Sequence, residues 1–198
     1  MSNTRAEIRQ SIRKKRNSLT VEQQKNAAIA LKVNFIQHLK SLKTPKNTHI
    51  GIYFSNDGEL DTSLLIKELW MREQYLYLPI IHPFNGTTLY FQRYEENSPM
   101  TANRYGILEP KLNCSQICPL DKLDILLMPL VAFDDEGNRL GMGGGFYDKT
   151  LARYYQENWQ KPILIGLAHQ CQHVSALPIE SWDVPLKHII TPEKIYQW

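Results

Sequence analysis

The chain is poor in cysteine and in long apolar runs, and both shortages exclude classes of protein. Its 198 residues include only three cysteines, an odd number that provides no disulfide framework. Cys114 and Cys118 are not accompanied by a second Cys or His pair at zinc-binding spacing, so we expect reduced thiols in a cytoplasmic protein. No run approaches the roughly 18 apolar residues of a membrane span. The first residues, MSNTRAEIRQSIRKKR, lack the apolar core of a secretory signal. We therefore expect neither membrane insertion nor export.

Positive charge is modest in total but concentrated near the N-terminus. The formal net charge is +3, which permits anionic ligands without indicating nucleic acid. Arg5, Arg9 and Arg13 recur every fourth residue and so share one face of a predicted helix over about residues 3–19. That face is either solvated or aimed at phosphates or carboxylates. The run RKKR could also contact nucleic acid, but neither interleaved aromatics nor a known nucleic-acid motif accompanies it, so we expect no nucleic-acid partner.

Strand-like and helix-like segments alternate along the chain, which predicts an α/β fold with a largely parallel sheet. After the basic helix, TVEQ is a capping-box pattern that begins a second helix ending near Lys40. A third helix is predicted from Asp61 or Thr62 to Glu73, and a fourth from Tyr147 to Glu157. The predicted strands are HIGIYF, YLYLPI, TTLYFQRY, LDILLMPLVAF, ILIGLA and HIIT. Ligands of such folds bind at the carboxyl ends of the strands, here the loops at Ser55, 131–145 and from Ala168 onward.

One of these loops contains four glycines in five positions, Gly141 to Gly145, between a buried strand and a helix. Glycines there let backbone N–H groups approach an anion, and the helix N-terminus adds partial positive charge. The nucleotide motifs do not match: no Gly-Lys-Ser/Thr exists, and Phe146 stands where a dinucleotide motif needs glycine. A tight turn is the simpler alternative, but a turn needs one or two glycines. The pattern favours a phosphate-binding loop.

Charged residues flank the glycine loop. Asp148, in the first turn of the following helix, is either a helix-start acid or a ligand for Mg²⁺. Arg139 is either a solvated hairpin residue or a bidentate phosphate contact. Asp134, Asp135 and Glu136 are assigned to the turn without chemistry. His169 and His173 have the spacing of metal ligands but lack an evident third ligand, so we expect surface or hydrogen-bonded histidines.

The segment NRLGMGGGFYD resembles the signature of the 5-formyltetrahydrofolate cyclo-ligase family, also called methenyltetrahydrofolate synthetases. Three more stretches agree in the same order: RAEIRQSIRKKRNSLT, SNDGELDT and LPIESWDVPLKHIIT. The resemblance therefore covers essentially the whole chain. It implies a single cyclo-ligase domain over 1–198, with a three-layer α/β/α fold. It also implies ATP-driven closure of 5-formyltetrahydrofolate to 5,10-methenyltetrahydrofolate, with Mg²⁺ and release of ADP and phosphate.

The resemblance also implies a role for particular residues. It places catalysis on Arg9, Arg139 and Asp148. It places ATP on Arg5, Arg9, Arg139, Leu140, Gly141, Met142, Gly143, Gly144, Gly145, Phe146 and Tyr147. It places the folate on Phe54, Glu59, Tyr105 and 142–146, and Mg²⁺ on Asp148 and Asp183. Arg5 stands where many family members have lysine, which keeps the charge but changes the geometry.

Two classes of function remain distinct at this point. The first is the cyclo-ligase, which we expect to act as a cytoplasmic monomer on 5-formyltetrahydrofolate and ATP. In that mechanism the γ-phosphoryl group is transferred to the formyl oxygen, and the neighbouring folate amine attacks the resulting imidoyl phosphate. The second is a non-catalytic module that binds a phosphorylated ligand or nucleic acid, for which Asp183 would be unnecessary.

Overall fold

The computed structural model describes residues 4–180 and 183–198, so the predicted helix start near residue 3 and part of the stretch LPIESWDVPLKHIIT lie outside the described residues. The helices are α1 (Arg5–Asn17), α2 (Val21–Ser41), α3 (Ser63–Met71) and α4 (Phe146–Gln156). The first strands are β1 (His49–Gly51), β2 (Tyr75–Ile81), β3 (Leu89–Tyr94), β4 (Met100–Ala102), β5 (Leu108–Pro110) and β6 (Ile117–Cys118). The later strands are β7 (Ile125–Pro129), β8 (Ala132–Phe133), β9 (Arg139–Leu140), β10 (Ile163–Leu167), β11 (His188–Ile190) and β12 (Ile195–Gln197).

An eight-stranded sheet forms the middle of the molecule, in the order β12-β11-β10-β7-β1-β2-β3-β6. Its central strands, β11, β10, β7, β1 and β2, run parallel. At one edge β12 pairs antiparallel with β11, and at the other β3 pairs antiparallel with both β2 and β6. The register aligns Ile50 with both Leu76 and Ile125. The predicted α/β fold with a largely parallel sheet is confirmed.

Helices cover both faces of this sheet and make the two outer layers of a three-layer α/β/α arrangement. On one face, Leu31 and Phe35 of α2 and Leu65 of α3 pack against Ile50 and Ile165, all of them fully buried. On the other face, Leu151 of α4 joins a separate cluster with residues of β3, β7, β10 and β11. Strands buried on both faces read as continuous apolar runs, which explains the composition of β7 and β10.

Helix α1 lies outside these layers, against the loops that leave the sheet. Ile8 and Ile12 are buried against Val131, Ala132 and Leu140. Both α1 and α2 begin with capping boxes, at Thr4 with Glu7 and at Thr20 with Gln23, as the second was predicted to do. The described part of the chain contains no helix that is both long and apolar enough to span a bilayer.

Two predicted elements are shorter than expected. The run LDILLMPLVAF is divided: β7 ends at Pro129, and β8 pairs with β9 in a separate two-stranded ribbon that leads into the glycine loop. The run HIGIYF stays in the sheet only to Gly51, although the N–H of Ile52 still donates to Tyr77 (2.9 Å). Beyond it, the Thr62 hydroxyl donates to the Tyr53 carbonyl (2.6 Å) instead of capping α3, and this bond turns the chain back toward the helix.

Candidate active site at the strand ends

The glycine loop forms the N-terminal end of α4, as predicted, and its glycines serve different purposes. Gly143 (φ +96°) and Gly145 (φ +66°) adopt left-handed conformations that other residues rarely reach, and Gly145 is the N-cap of α4. A Cβ at Gly144 would lie 3.0 Å from the Phe146 ring, whereas one at Gly141 would meet no atom within 4 Å. The loop is therefore both tightly turned and open on its outer side, next to the free N–H groups of a helix N-terminus.

Helix α1 contacts this loop directly through Arg9. The Arg9 Nε donates to the carbonyl of Gly141 (2.8 Å), and its guanidinium would be 3.7 Å from a Cβ at Gly143. Desolvation, together with the nearby Arg5, lowers the pKa of Arg9 below its usual value. Two half-buried cations held close together, with unused N–H donors, indicate a site for an anion.

The predicted magnesium carboxylates each meet an arginine. Asp183 accepts two hydrogen bonds from Arg5 (2.6 and 3.2 Å). Asp148 accepts one from Arg139 (2.5 Å), and Arg139 also donates to the carbonyl of Val184 (2.6 Å). Arg139 thus joins the start of α4 to the segment that carries Asp183. The structure brings these two acids, which are remote in sequence, to one arginine network.

These two carboxylates are suitable donors for a divalent cation but do not form a protein cage. Within residues 4–180 and 183–198, no cluster of three or more His, Cys, Asp or Glu side chains has metal-binding geometry. Mg²⁺ at nucleotide sites is usually held by one or two carboxylates plus phosphate oxygens, so a complete cage is not required. Asp148 is largely exposed and remains accessible to such an ion. The donor set fits Mg²⁺ together with a phosphorylated ligand.

Glu59 lies in the turn that follows β1. Its carboxylate accepts the N–H of Asn56 (3.1 Å), and burial raises its pKa to about 7. Burial, and to a lesser degree the negative charge of Glu59, raise the pKa of Tyr147 in the first turn of α4. Arg16 contacts both Asp57 of this turn and Met142 of the glycine loop, so the two loops lie close together where β1 and β9 end. A carboxylate poised between charge states in such a cleft is typical of a functional site.

The remaining predicted site residues are divided between the cleft and the core. Tyr105, exposed on the β4–β5 hairpin, packs edge-on to Phe146 at 6.0 Å between ring centroids. Met142 is exposed on the loop, whereas Leu140 is buried beneath α1. Phe54 packs edge-on to Tyr94 at 5.3 Å, on the face of the sheet covered by α2 and α3.

The two histidines lie in different surroundings, and His173 fits the expectation of a surface or hydrogen-bonded side chain. His173 contacts the Asp135 carboxylate at 2.8 Å. His169 is buried, its Nε2 has no hydrogen-bond partner within the described residues, and desolvation lowers its pKa to about 4. Asp134 is also buried, and it accepts backbone N–H groups from Glu136, Asn138 and Leu177, so its role is to close the β8–β9 turn.

Sequence reasoning missed Arg16, which the structure buries completely at the centre of the site. Its guanidinium binds Asp57, in the Glu59 turn, and lies 3.9 Å from the sulfur of Met142. A signal was available: position 16 continues the buried stripe of Ile8 and Ile12 at a spacing of four. A charged residue on a buried stripe requires a partner, because an unpaired buried charge is strongly destabilising.

Fold and site together define an α/β protein with a cationic, glycine-rich cleft for an anionic ligand at the ends of parallel strands. Comparison with known proteins specifies the family. The chain matches the 5-formyltetrahydrofolate cyclo-ligase family over residues 1–192, and it belongs to that family.

Individual relatives agree with this assignment. The 5-formyltetrahydrofolate cyclo-ligase of Haemophilus influenzae is 50% identical over 189 residues, which cover 94% of this chain and 96% of that protein. The Escherichia coli protein of the same name is 43% identical over 94% of this chain and all of its own length. The solution structure of Aquifex aeolicus 5,10-methenyltetrahydrofolate synthetase superposes with a TM-score of 0.77 at 26% identity, covering 98% of this chain and 92% of that chain. The chain is therefore an enzyme of this family, and the non-catalytic binding module is set aside.

Proposed function

We propose that this chain closes 5-formyltetrahydrofolate to 5,10-methenyltetrahydrofolate at the cleft between the glycine loop and the Glu59 turn, with ATP converted to ADP and phosphate. The observation that carries the assignment is the hydrogen bond from Arg9 to the glycine loop (2.8 Å), together with the Arg16 contacts that join this loop to the Glu59 turn. One side of the cleft offers cations and N–H groups to a polyphosphate. The other offers a carboxylate to a ring that carries N–H donors.

The ATP phosphates bind along 139–147 in this proposal. Backbone N–H groups of the loop and of the first turn of α4 donate to the phosphate oxygens, helped by the helix dipole. Arg5, Arg9 and Arg139 add charge, and their present hydrogen bonds leave donors on each guanidinium. Phosphoryl transfer requires mainly positioning and charge neutralisation, which are what these groups provide.

Asp148 and Asp183 are the proposed ligands of Mg²⁺. When bound, the ion would supply further neutralisation of the transferring phosphoryl group. Asp148 and Asp183 would hold the ion through carboxylate lone pairs that their hydrogen bonds from Arg139 and Arg5 leave unused. The guanidinium donors of both arginines that are not engaged there would contact phosphate oxygens.

Glu59 is proposed to hold the pterin ring of the folate. An ionised carboxylate accepts two parallel N–H bonds, which matches an amino group and the adjacent ring N–H. Tyr105 and Phe146 flank the opening as an aromatic pair on which the folate packs, and Phe54 is assigned to the apolar wall behind Glu59.

The chemistry requires no protein nucleophile. The formyl oxygen attacks the γ-phosphorus, the bond to the β-phosphate oxygen breaks, and ADP leaves. The formyl carbon is then bonded to a phosphate ester oxygen, which is a good leaving group. The neighbouring folate amine attacks this carbon and loses its proton. Expulsion of phosphate completes the methenyl bridge. Arg9 and Arg139 would hold the negative charge that moves through these steps, because preorganised donors stabilise developing charge.

The wider setting is part of the same proposal. We propose that the whole chain, 1–198, acts as one catalytic domain with α1 contributing to the ATP site, and that it acts as a monomer. Free thiols at Cys114, Cys118 and Cys171 support a reducing, cytoplasmic setting. We propose neither a membrane nor a nucleic-acid partner.

One assay tests the activity. Purified protein is mixed with Mg·ATP and 5-formyltetrahydrofolate, and the absorbance of the methenyl product is followed while ADP is measured. We expect both products in equal amounts, and neither when ATP is replaced by a non-hydrolysable analogue. Binding of ATP without methenyl formation would contradict the proposal.

A further inference from the structure

We propose that Arg16 and Asp57 are positioning residues that fix the Glu59 turn on helix α1, so that the helix contacting the ATP loop also orients the folate-binding carboxylate. This inference rests on the proposed role of Glu59 in folate binding. Neither residue lies in the signature of the glycine loop, and neither is assigned above to contact a ligand.

Helix α1 holds the Glu59 turn through hydrogen bonds to Asp57. Its Oδ2 accepts from Arg13 (2.7 Å) and from Arg16 (2.8 Å), and its Oδ1 accepts from Asn17 (3.2 Å). The hydrogen bond from Arg13, followed by those from Asn17 and Arg16, lowers the pKa of Asp57 to about 2. The Asp57 carboxylate is therefore charged at every pH at which the enzyme would be assayed. Its hydrogen bonds to α1 do not change with pH over that range.

Arg16 also contacts the backbone of two loops and the side chain of Met142 in the glycine loop. Its Nε donates to the carbonyl of Asp57 (2.8 Å), one Nη approaches the carbonyl of Leu130 (3.5 Å), and the other contacts Met142. Three loops that follow different strands thus converge on one fully buried guanidinium. A planar group with several donors in fixed directions is suited to such a junction, and lysine is not.

The turn has little freedom to move away from the helix. Asp57 (φ +49°) and Gly58 (φ +72°) are both left-handed. A Cβ at Gly58 would lie 2.1 Å from the Asn17 side chain, so helix and turn are in direct contact. Since Glu59 follows immediately, a shift at Asp57 displaces its carboxylate. A displacement of about 1 Å at a positioned group is enough to reduce turnover substantially.

The Arg16–Asp57 pair also places two opposite charges near Glu59. Arg16 favours its ionised form and Asp57 disfavours it, while burial raises its pKa most strongly. The other ionisable groups that face this turn are Tyr53 at the end of β1, Tyr147 on α4 and His169 after β10. Exchanging Arg16 or Asp57 for a neutral residue should therefore move the titration of Glu59 in opposite directions.

The test measures KM for 5-formyltetrahydrofolate against pH in the full-length enzyme, at saturating Mg·ATP. Asp57→Asn should raise this KM about tenfold, the effect of losing one charge-assisted contact, while kcat changes less. It should also move the apparent pKa of the KM profile to lower pH, and Arg16→Met should move it to higher pH. Titration of the substrate is common to all variants and cancels. A role in folding alone would lower the melting temperature without opposite pH shifts.

Controls separate this inference from the proposed function. Asp121→Asn, an exposed acid at the opposite end of β7, should leave KM and its profile unchanged. Glu59→Gln should raise KM and flatten the profile; if it does neither, the assigned role of Glu59 fails. If Glu59→Gln acts as expected but Asp57→Asn behaves like Asp121→Asn, the positioning pair is overturned. Should Arg16→Met not fold, the Asp57→Asn variant, at a partly exposed position, still decides the question.

Discussion

The proposed magnesium site leads to a double-mutant experiment on Asp148 and Asp183. Each residue is changed to asparagine, which keeps its shape and removes its charge. In the structure the two acids are joined through Arg139, which binds Asp148 and the carbonyl after Asp183. If they share one ion, losing either carboxylate should cost about 2–3 kcal/mol of transition-state stabilisation. This loss corresponds to a decrease in kcat/KM of roughly 30- to 160-fold.

The combination is the informative variant. Independent residues would multiply their losses, giving a decrease of about 10³- to 3 × 10⁴-fold. A shared ion that is already lost in the single variant cannot be lost again, so the double variant should resemble the worse single variant. The coupling free energy would then be about 2 kcal/mol.

Stability must be measured in parallel, because both acids also make ion pairs. The Arg5–Asp183 pair is mostly buried, with side-chain exposures of 25% and 15%, so its loss should cost about 1–2 kcal/mol of unfolding free energy. Asp148 is 62% exposed, and its pair should contribute only a few tenths. The assay is a kcat/KM titration with Mg²⁺ at fixed ATP, with urea unfolding of each variant. Additive losses, or an unchanged Mg²⁺ requirement, would refute the shared ion.

Three further predictions follow from single contacts. Arg9→Ala should raise KM for ATP and for folate together, about tenfold each, because it removes the cation beside Gly141; steady-state kinetics with unchanged values would return Arg9 to a solvated face. Because the ionised form of Glu59 is the proposed pterin acceptor and its pKa is about 7, KM for folate should rise as pH falls below 7, and Glu59→Gln should remove this rise. His169 has a pKa of about 4 when folded and 6.5 when unfolded, so its contribution to stability is present above pH 6.5 and declines toward pH 4, by about 3 kcal/mol in all. His169→Gln should flatten that part of the stability–pH curve in urea unfolding, and an equally steep curve would refute the assignment.

Much of the scaffold could be predicted because its signals are local. Each capping box, at Thr4 and at Thr20, pairs a donor and an acceptor that are three residues apart. A short stretch of sequence is therefore enough to predict where the helix begins. Burial of β7 on both faces follows from its continuous apolar run. The break at Pro129 was not predicted, since the apolar run continues into β8 and only the pairing with β9 removes it from the main sheet.

Part of the site could also be predicted, because its glycines signal their own conformation. Dense glycine before a helix indicates close backbone approach, and the φ values of Gly143 and Gly145 agree. Arg5, Arg9 and Arg13 share a helical face by periodicity alone. Their partners could not be predicted from that periodicity: Arg9 meets a glycine carbonyl, whereas Arg13 binds Asp57.

The sequence by itself determined the α/β order of elements, the dense glycine loop before α4 and the resemblance to the family. Only the tertiary structure decided which distant groups meet: Arg5 with Asp183 across 178 positions, and Arg16 with Asp57 across 41. The physical reason is that backbone propensity and hydrophobic periodicity act over a few residues. The pairing of charges depends on which strand ends the sheet brings side by side, and on burial, which raises the pKa of Glu59 only once the surrounding loops have closed over it.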